Sequence, residues 1–168
     1  IYGMWFSRSI ATRLSRAVLR CFPILIVAAF LPYPYGICAP AGPKHFILFL
    51  ITLLLGLAMT VSFCVLIYIL AFFTISPVGL QMIFTSMTDF FAGALIPLPF
   101  FPAKLQTVME LLPFAAMQNV PLRIYSGSMS GHEMQKAVFL QIFWLIVVTA
   151  AGKMLCRAAQ KRVTVQGG

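Results

Sequence analysis

Residues 46–73, FILFLITLLLGLAMTVSFCVLIYILAFF, run without one charged side chain. About 20 apolar residues suffice for a helix to cross a bilayer, and a helix that is apolar on every side has to be surrounded by apolar material. A chain of 168 residues cannot bury such a rod and still give it a water-soluble exterior, because its polar inventory is too small. Three acids and twelve Lys and Arg amount to 9% charged residues, against about 25% in a soluble domain. The fold class is therefore an all-α polytopic membrane protein, with residues 1–168 forming a single transmembrane domain. The net charge of +9 does not point to nucleic acid, since the bases sit beside apolar runs, where the positive-inside rule puts them.

Four transmembrane helices are expected, over residues 14–31, 46–73, 78–96 and 137–155. The first grows out of a helix beginning near Ser7, on which Arg13, Arg16 and Arg20 share a face, either solvated or set against anionic headgroups or a partner. Pro32 and Pro34 end it, and Tyr33 and Tyr35 mark the far interface. Residues 103–112 put Leu105, Val108, Met109 and Leu112 on one side of a short interfacial helix. Residues 113–131 suit a re-entrant or a surface segment, and the sequence leaves both open. With both ends cytoplasmic, that side carries Arg8, Arg13, Arg16, Arg20, Lys153, Arg157, Lys161 and Arg162, whereas Lys44, Lys104, Arg123 and Lys136 are external. This bias sets the expected orientation.

The stretch Asp89-Phe-Phe-Ala-Gly-Ala-Leu-Ile-Pro-Leu-Pro-Phe-Phe-Pro102 is the least lipid-compatible part. An acid at mid-span costs about 2.5 to 3.5 kcal/mol on insertion scales, and each proline removes a backbone donor that lipid cannot replace. The expectation is a helix broken at Pro97, Pro99 and Pro102 into an extracellular cap, continued through Pro113 and Pro121. Asp89 is then either held in the bundle by donors such as Thr85 and Thr88, or exposed to a watery path where it meets cargo.

Catalytic signals are weak. The sequence has no phosphate-binding Gly-x-x-x-x-Gly-Lys-Ser/Thr loop. His132-Glu133 opens like a zinc-protease helix, but Lys136 stands where the second histidine ligand belongs. Gly127 and Gly131 have the spacing of a helix-dimerisation motif inside a polar turn. Cys21, Cys38, Cys64 and Cys156 are scattered, so no metal site is expected and the chain does not read as an enzyme.

The run FTISPVGLQMIFTSMTDFFAGALIPLPFFP from Phe73 to Pro102, the block ELLPFAAMQNVPLRIYSG from Glu110 to Gly127 and the terminal VTVQGG resemble the type-2 ABC exporter permeases, in their subfamily of small bacterial six-span proteins. The chain looks like the last two-thirds of such a subunit. The resemblance implies a six-helix permease in the plasma membrane, paired with itself or with a sister permease, and a cytoplasmic ABC ATPase on another chain that binds ATP and Mg. It also implies short extracellular helices before the last span, matched here by the proline cap and residues 103–125. Two other classes fit the bare residues: a secondary transporter with Asp89 as ion or proton carrier, and a non-transporting assembly subunit.

Overall fold

The computed structural model describes residues 2–31, 39–71, 73, 76–129 and 131–163. The expected proline and tyrosine boundary at 32–35, the serine-free half of the turn at 74–75 and all but the first residue of VTVQGG lie outside them. Among the described residues there are six α-helices and no strand: α1 (Tyr2–Phe30), α2 (Pro43–Ala71), α3 (Pro77–Phe91), α4 (Ala103–Leu111), α5 (Pro113–Tyr125) and α6 (Gly131–Val163), with one 3-10 turn at Leu98–Phe100.

Helices α2 and α6 are long and apolar enough to cross a membrane, and they form the frame. They run parallel: the Ser62 hydroxyl meets that of Thr149 at 3.1 Å, and the Gln141 amide reaches the Thr52 carbonyl at 2.8 Å. Helix α1 joins them through its first half, where Phe6 and Ile10 pack on Val61, Val65 and Ile69 of α2, the cluster that Leu155 and Ala159 of α6 also cover. The start of α1 and the ends of α2 and α6 therefore share one side of the bundle. The Arg13 guanidinium donates to Cys64 Sγ at 2.9 Å, while Arg16, Arg20, Arg157 and Lys161 are exposed. Arg162 lies on the last turn of α6.

The expected third span is shorter than the sequence suggests. Helix α3 starts as expected, with Pro77 in its first turn and the Ser76 hydroxyl accepting the Gly79 N–H, but it stops at Phe91 rather than Ile96. Fifteen residues span roughly 22 Å at 1.5 Å per residue, less than the ~30 Å apolar core of a bilayer. The stop is a Schellman motif: Gly93 takes φ 79°, its N–H bonds the Phe90 carbonyl at 3.3 Å, and the Ala94 N–H bonds the Asp89 carbonyl at 3.0 Å. A Cβ on Gly93 would also meet Leu98 Cγ at 3.0 Å.

The prolines turn out to start elements more than they end them. Pro97 precedes the 3-10 turn and Pro99 lies within it, Pro102 caps α4, and Pro113 opens α5. A residue before proline is pushed to extended backbone, and Leu112 sits at φ −75°, ψ 153°. That makes a sharp elbow between α4 and α5. Pro121 is inside α5 and buried.

Candidate functional site

Helix α5 settles which way the chain turns after the elbow. It packs antiparallel along α2 from Phe49 to Phe63, with Tyr125 against Phe49 at 5.1 Å and Phe114 against Phe63 at 5.6 Å, and seven of its thirteen residues are buried. It is packed within the bundle rather than lying loose on its outside. The elbow is level with the middle of α6, because the Trp144 indole donates to the Leu111 carbonyl at 2.8 Å.

What locks this hairpin is a set of contacts that the apolar pattern conceals. Gln141, 0% exposed, donates through Nε2 to the carbonyls of Thr52 on α2 and Ala116 on α5, both at 2.8 Å. Gly56 lets α2 and α5 touch: a Cβ there would stand 2.5 Å from the Met117 carbonyl oxygen. Proline at 121 has no N–H for that carbonyl four residues earlier, so the oxygen is left facing the glycine's α-hydrogens, a weak but recurrent helix–helix contact. Both residues lie in runs that read as plain apolar spans, and the signal was there: a lone amide, and a lone glycine, inside a membrane helix.

Helix α3 runs back along α2, with the Phe84 ring tilted against Phe63 at 5.0 Å. Asp89 is five residues further on, so it is roughly level with Ala58, near the middle of α2. Three faces of α3 differ in kind. Leu80, Phe84, Thr88 and Phe91 are half-buried against the bundle. Ile83, Met87 and Phe90 form an exposed apolar face. The third face carries Gln81, Thr85 and Asp89 at i, i+4 and i+8, beside Ser86, Val78 and Met82; Asp89 is half-buried and the other five are exposed.

The hydroxyls expected to hold Asp89 are engaged elsewhere, Thr85 with the Gln81 carbonyl at 2.9 Å and Thr88 with the Phe84 carbonyl at 2.8 Å. No described donor reaches the Asp89 carboxylate. It is the Asp89 backbone carbonyl that closes the helix end. An acid in the last turn is also on the wrong end of the helix dipole, which favours cations there.

The segment after α3 stays at this depth. Leu98 is buried with Met109 and Ala115 near the elbow, and Phe101 meets Phe90 at 5.7 Å, so Pro97, Pro99 and Pro102 form a plug packed at mid-height of the bundle. Leu95, Ile96 and Phe100 around it are exposed. Irregular backbone is not left against lipid; it is covered by protein or lines a water-filled cavity.

A second polar place lies between α4, α5 and α6. Glu110 pairs with Arg123 at 3.0 Å and accepts from Gln106 at 3.1 Å; Glu133 and Lys136 line the same cleft of about 220 Å³. Ligand sites are typically about 300 Å³ or more, and the ion pair serves to clasp α4 onto α5.

The geometry by itself names no activity, and the family is given by comparison with known proteins. The family model described as "ABC-2 family transporter protein" matches residues 10–167. The chain belongs to this family. No curated protein and no solved structure matches. As an ABC-2 permease the chain is an integral membrane component of a transport system, and α2 and α6 are its long apolar helices.

Proposed function

We propose that this ABC-2 permease is the membrane-embedded half of an exporter, moving cargo out of the cytoplasm with ATP hydrolysed, with Mg, by a separate ABC ATPase. The observation that carries the reading is the face Gln81–Thr85–Asp89 beside the exposed plug at mid-height. A polar stripe and irregular backbone need a second protein surface or water in front of them, which a second permease, the same or a sister chain, supplies when two such faces meet across a path. The orientation proposed has both ends of the chain in the cytoplasm of a bacterial cell, in its plasma membrane. It is supported by the side of the bundle shared by the start of α1 and the ends of α2 and α6, which holds Arg8, Arg13, Lys153, Arg157, Lys161 and Arg162 and no acid.

The sequence supplies no phosphate loop, so the energy source is expected on another chain. Purified from membranes with its neighbours, the permease should bring down an ATP-hydrolysing subunit, and transport should stop when ATP is withheld. Transport driven by a proton or sodium gradient with no ATPase present would make it a secondary carrier instead. Neither nucleic acid nor a metal cofactor enters this reading.

A further inference from the structure

One strip of α2 is left open between two polar walls. The Arg13 guanidinium lies on it, at Cys64, and Phe6 and Ile10 of α1 cover the neighbouring strip of Val61, Val65 and Ile69. On the other side of Cys64, Phe63 receives Phe84 of α3. Helices α1 and α3 therefore flank the open strip, on which Leu53 and Tyr68 are exposed. Arg16 and Arg20 stand within about 60° of Arg13 around α1, so they look over the same strip. The apolar face of α3 turns to the plug, where Phe90 meets Phe101, and its polar face turns the other way, also to the strip.

The two walls are matched in height. Arg20 is seven residues past Arg13, roughly 10 Å, which brings it level with Leu57 of α2, and Asp89 is level with Ala58. Arg16 is likewise level with Thr85. Both helices run from the side shared by the ends of α2 and α6 toward the middle, so the pairs Arg16 and Arg20, and Thr85 and Asp89, each four residues apart, are in register. Neither wall finds its partner within the chain: Arg16 and Arg20 are exposed, and no described group pairs with them or with the Asp89 carboxylate. The remaining charges at mid-height do not supply one. Glu110 is matched by Arg123, and Lys104 follows Phe101 on the plug side of α3, away from the polar face. Glu133 is in the first turn of α6, at the far end of the bundle. Charges at this depth are paired or face water. A two-fold axis along the membrane normal, in front of the strip, leaves every height unchanged and sets the α1 of each copy against the α3 of the other.

We infer that this face is self-complementary: a second copy of the same chain docks on it, Arg20 and Arg16 of each copy meeting Asp89 and Thr85 of the other. This rests on the proposed reading of α3 as a wall of the transport path, and it makes the second permease the same chain rather than a sister chain. Val78 and Met82, exposed beside Thr85, add apolar contact to the seam.

The test uses the assembled transporter in lipid nanodiscs, prepared from cells that make two differently tagged copies of the permease, and counts the particles carrying both tags. Wild-type copies should pair. Arg20→Asp alone and Asp89→Arg alone should each lower the paired fraction at least about 10-fold, because like charges then meet twice across the interface. Arg20→Asp copies made together with Asp89→Arg copies should pair with each other as the wild type does, since every acid again faces a base. Lys104→Gln should pair like the wild type. A second readout needs no charge reversal: with the native cysteines changed to serine, Arg20→Cys on one copy and Asp89→Cys on the other should be joined by a short bifunctional thiol reagent, and two Arg20→Cys copies should not. Mixed copies that pair no better than either variant alone would overturn the proposal. So would wild-type pairing by the single variants, which would leave the face to lipid, and so would rescue confined to a chain carrying both substitutions, which would place the pair within one copy. If ATP-driven transport is seen in particles that never carry both tags, self-pairing fails and the exporter reading stands. If the tags meet as described but no ATPase is associated, the interface stands and the exporter reading fails.

Discussion

Gln141→Glu should prevent the bundle from assembling, although it exchanges one NH2 for an oxygen of almost the same size. The amide is fully buried and donates to two carbonyls on two different helices. A carboxylate would face both of them with lone pairs, and an uncompensated charge in such a place costs about 3 to 5 kcal/mol. Protonation relieves the charge but leaves one hydrogen for two acceptors. Gln141→Leu is expected to be far milder. It gives up two interhelical hydrogen bonds, which average about 0.6 kcal/mol each in membranes, yet it also removes Oε1, buried without a partner, whose desolvation costs roughly 1 to 3 kcal/mol. The two terms nearly cancel. Measured as the amount of monodisperse protein extracted from membranes and its melting temperature, the order should be wild type close to Leu, with Glu far below. A Glu variant as stable as wild type would remove the amide from the account of how α2, α5 and α6 are held.

Gly56→Ala is expected to have the next largest effect, through backbone rather than polarity. The new Cβ would lie 2.5 Å from the Met117 carbonyl oxygen and 3.3 Å from its carbon, and neither can rotate away as a side chain could. The hairpin has to move off α2. Overpacking of this kind costs about 1 to 3 kcal/mol, and a displaced α5 also draws the Ala116 carbonyl from Gln141. Alanine's better helix propensity returns at most about 1 kcal/mol, so the sign stays destabilising. Gly42→Ala is the control, because its Cβ would meet nothing nearer than His45 Nδ1 at 3.6 Å. Thermal melting of the purified protein should separate the two variants clearly, and equal melting would mean that α2 and α5 have slack.

Much of this was legible in the residues. The uncharged run 46–73 is α2 within three residues at either end, and the amphipathic spacing of residues 103–112 is α4 almost to the residue. Helix α6 extends beyond 137–155 at both ends, since polar and basic side chains do not stop a helix that leaves the bilayer. The family follows from the blocks around Asp89 and Pro113. What was not legible is what depends on a partner element. Reading the break at Pro97 overlooked Gly93, whose left-handed turn ends α3 four residues earlier than any proline; a glycine in an apolar run signals either a helix end or a close contact, and only the neighbouring Leu98 decides. The buried course of α5 could not be read because its burial comes from α2 and α6, not from its own pattern. Thr85 and Thr88 looked like partners for Asp89 by proximity, but a threonine inside a helix readily turns its hydroxyl to the carbonyl one turn back. The number of full-length spans suffers the same limit: α1 has four arginines in its first two-thirds, and α3 ends halfway.

The central claim is that the two exposed faces of α3 meet different surroundings, one lipid and one an aqueous path. Single cysteines at positions 81 and 85 on the polar face, and at 83 and 87 on the apolar face, can be treated with a membrane-impermeant methanethiosulfonate in the assembled transporter. The account requires modification at 81 and 85 that changes when ATP is added, and little or none at 83 and 87. Modification confined to 83 and 87, or equal reactivity all round the helix, would contradict it.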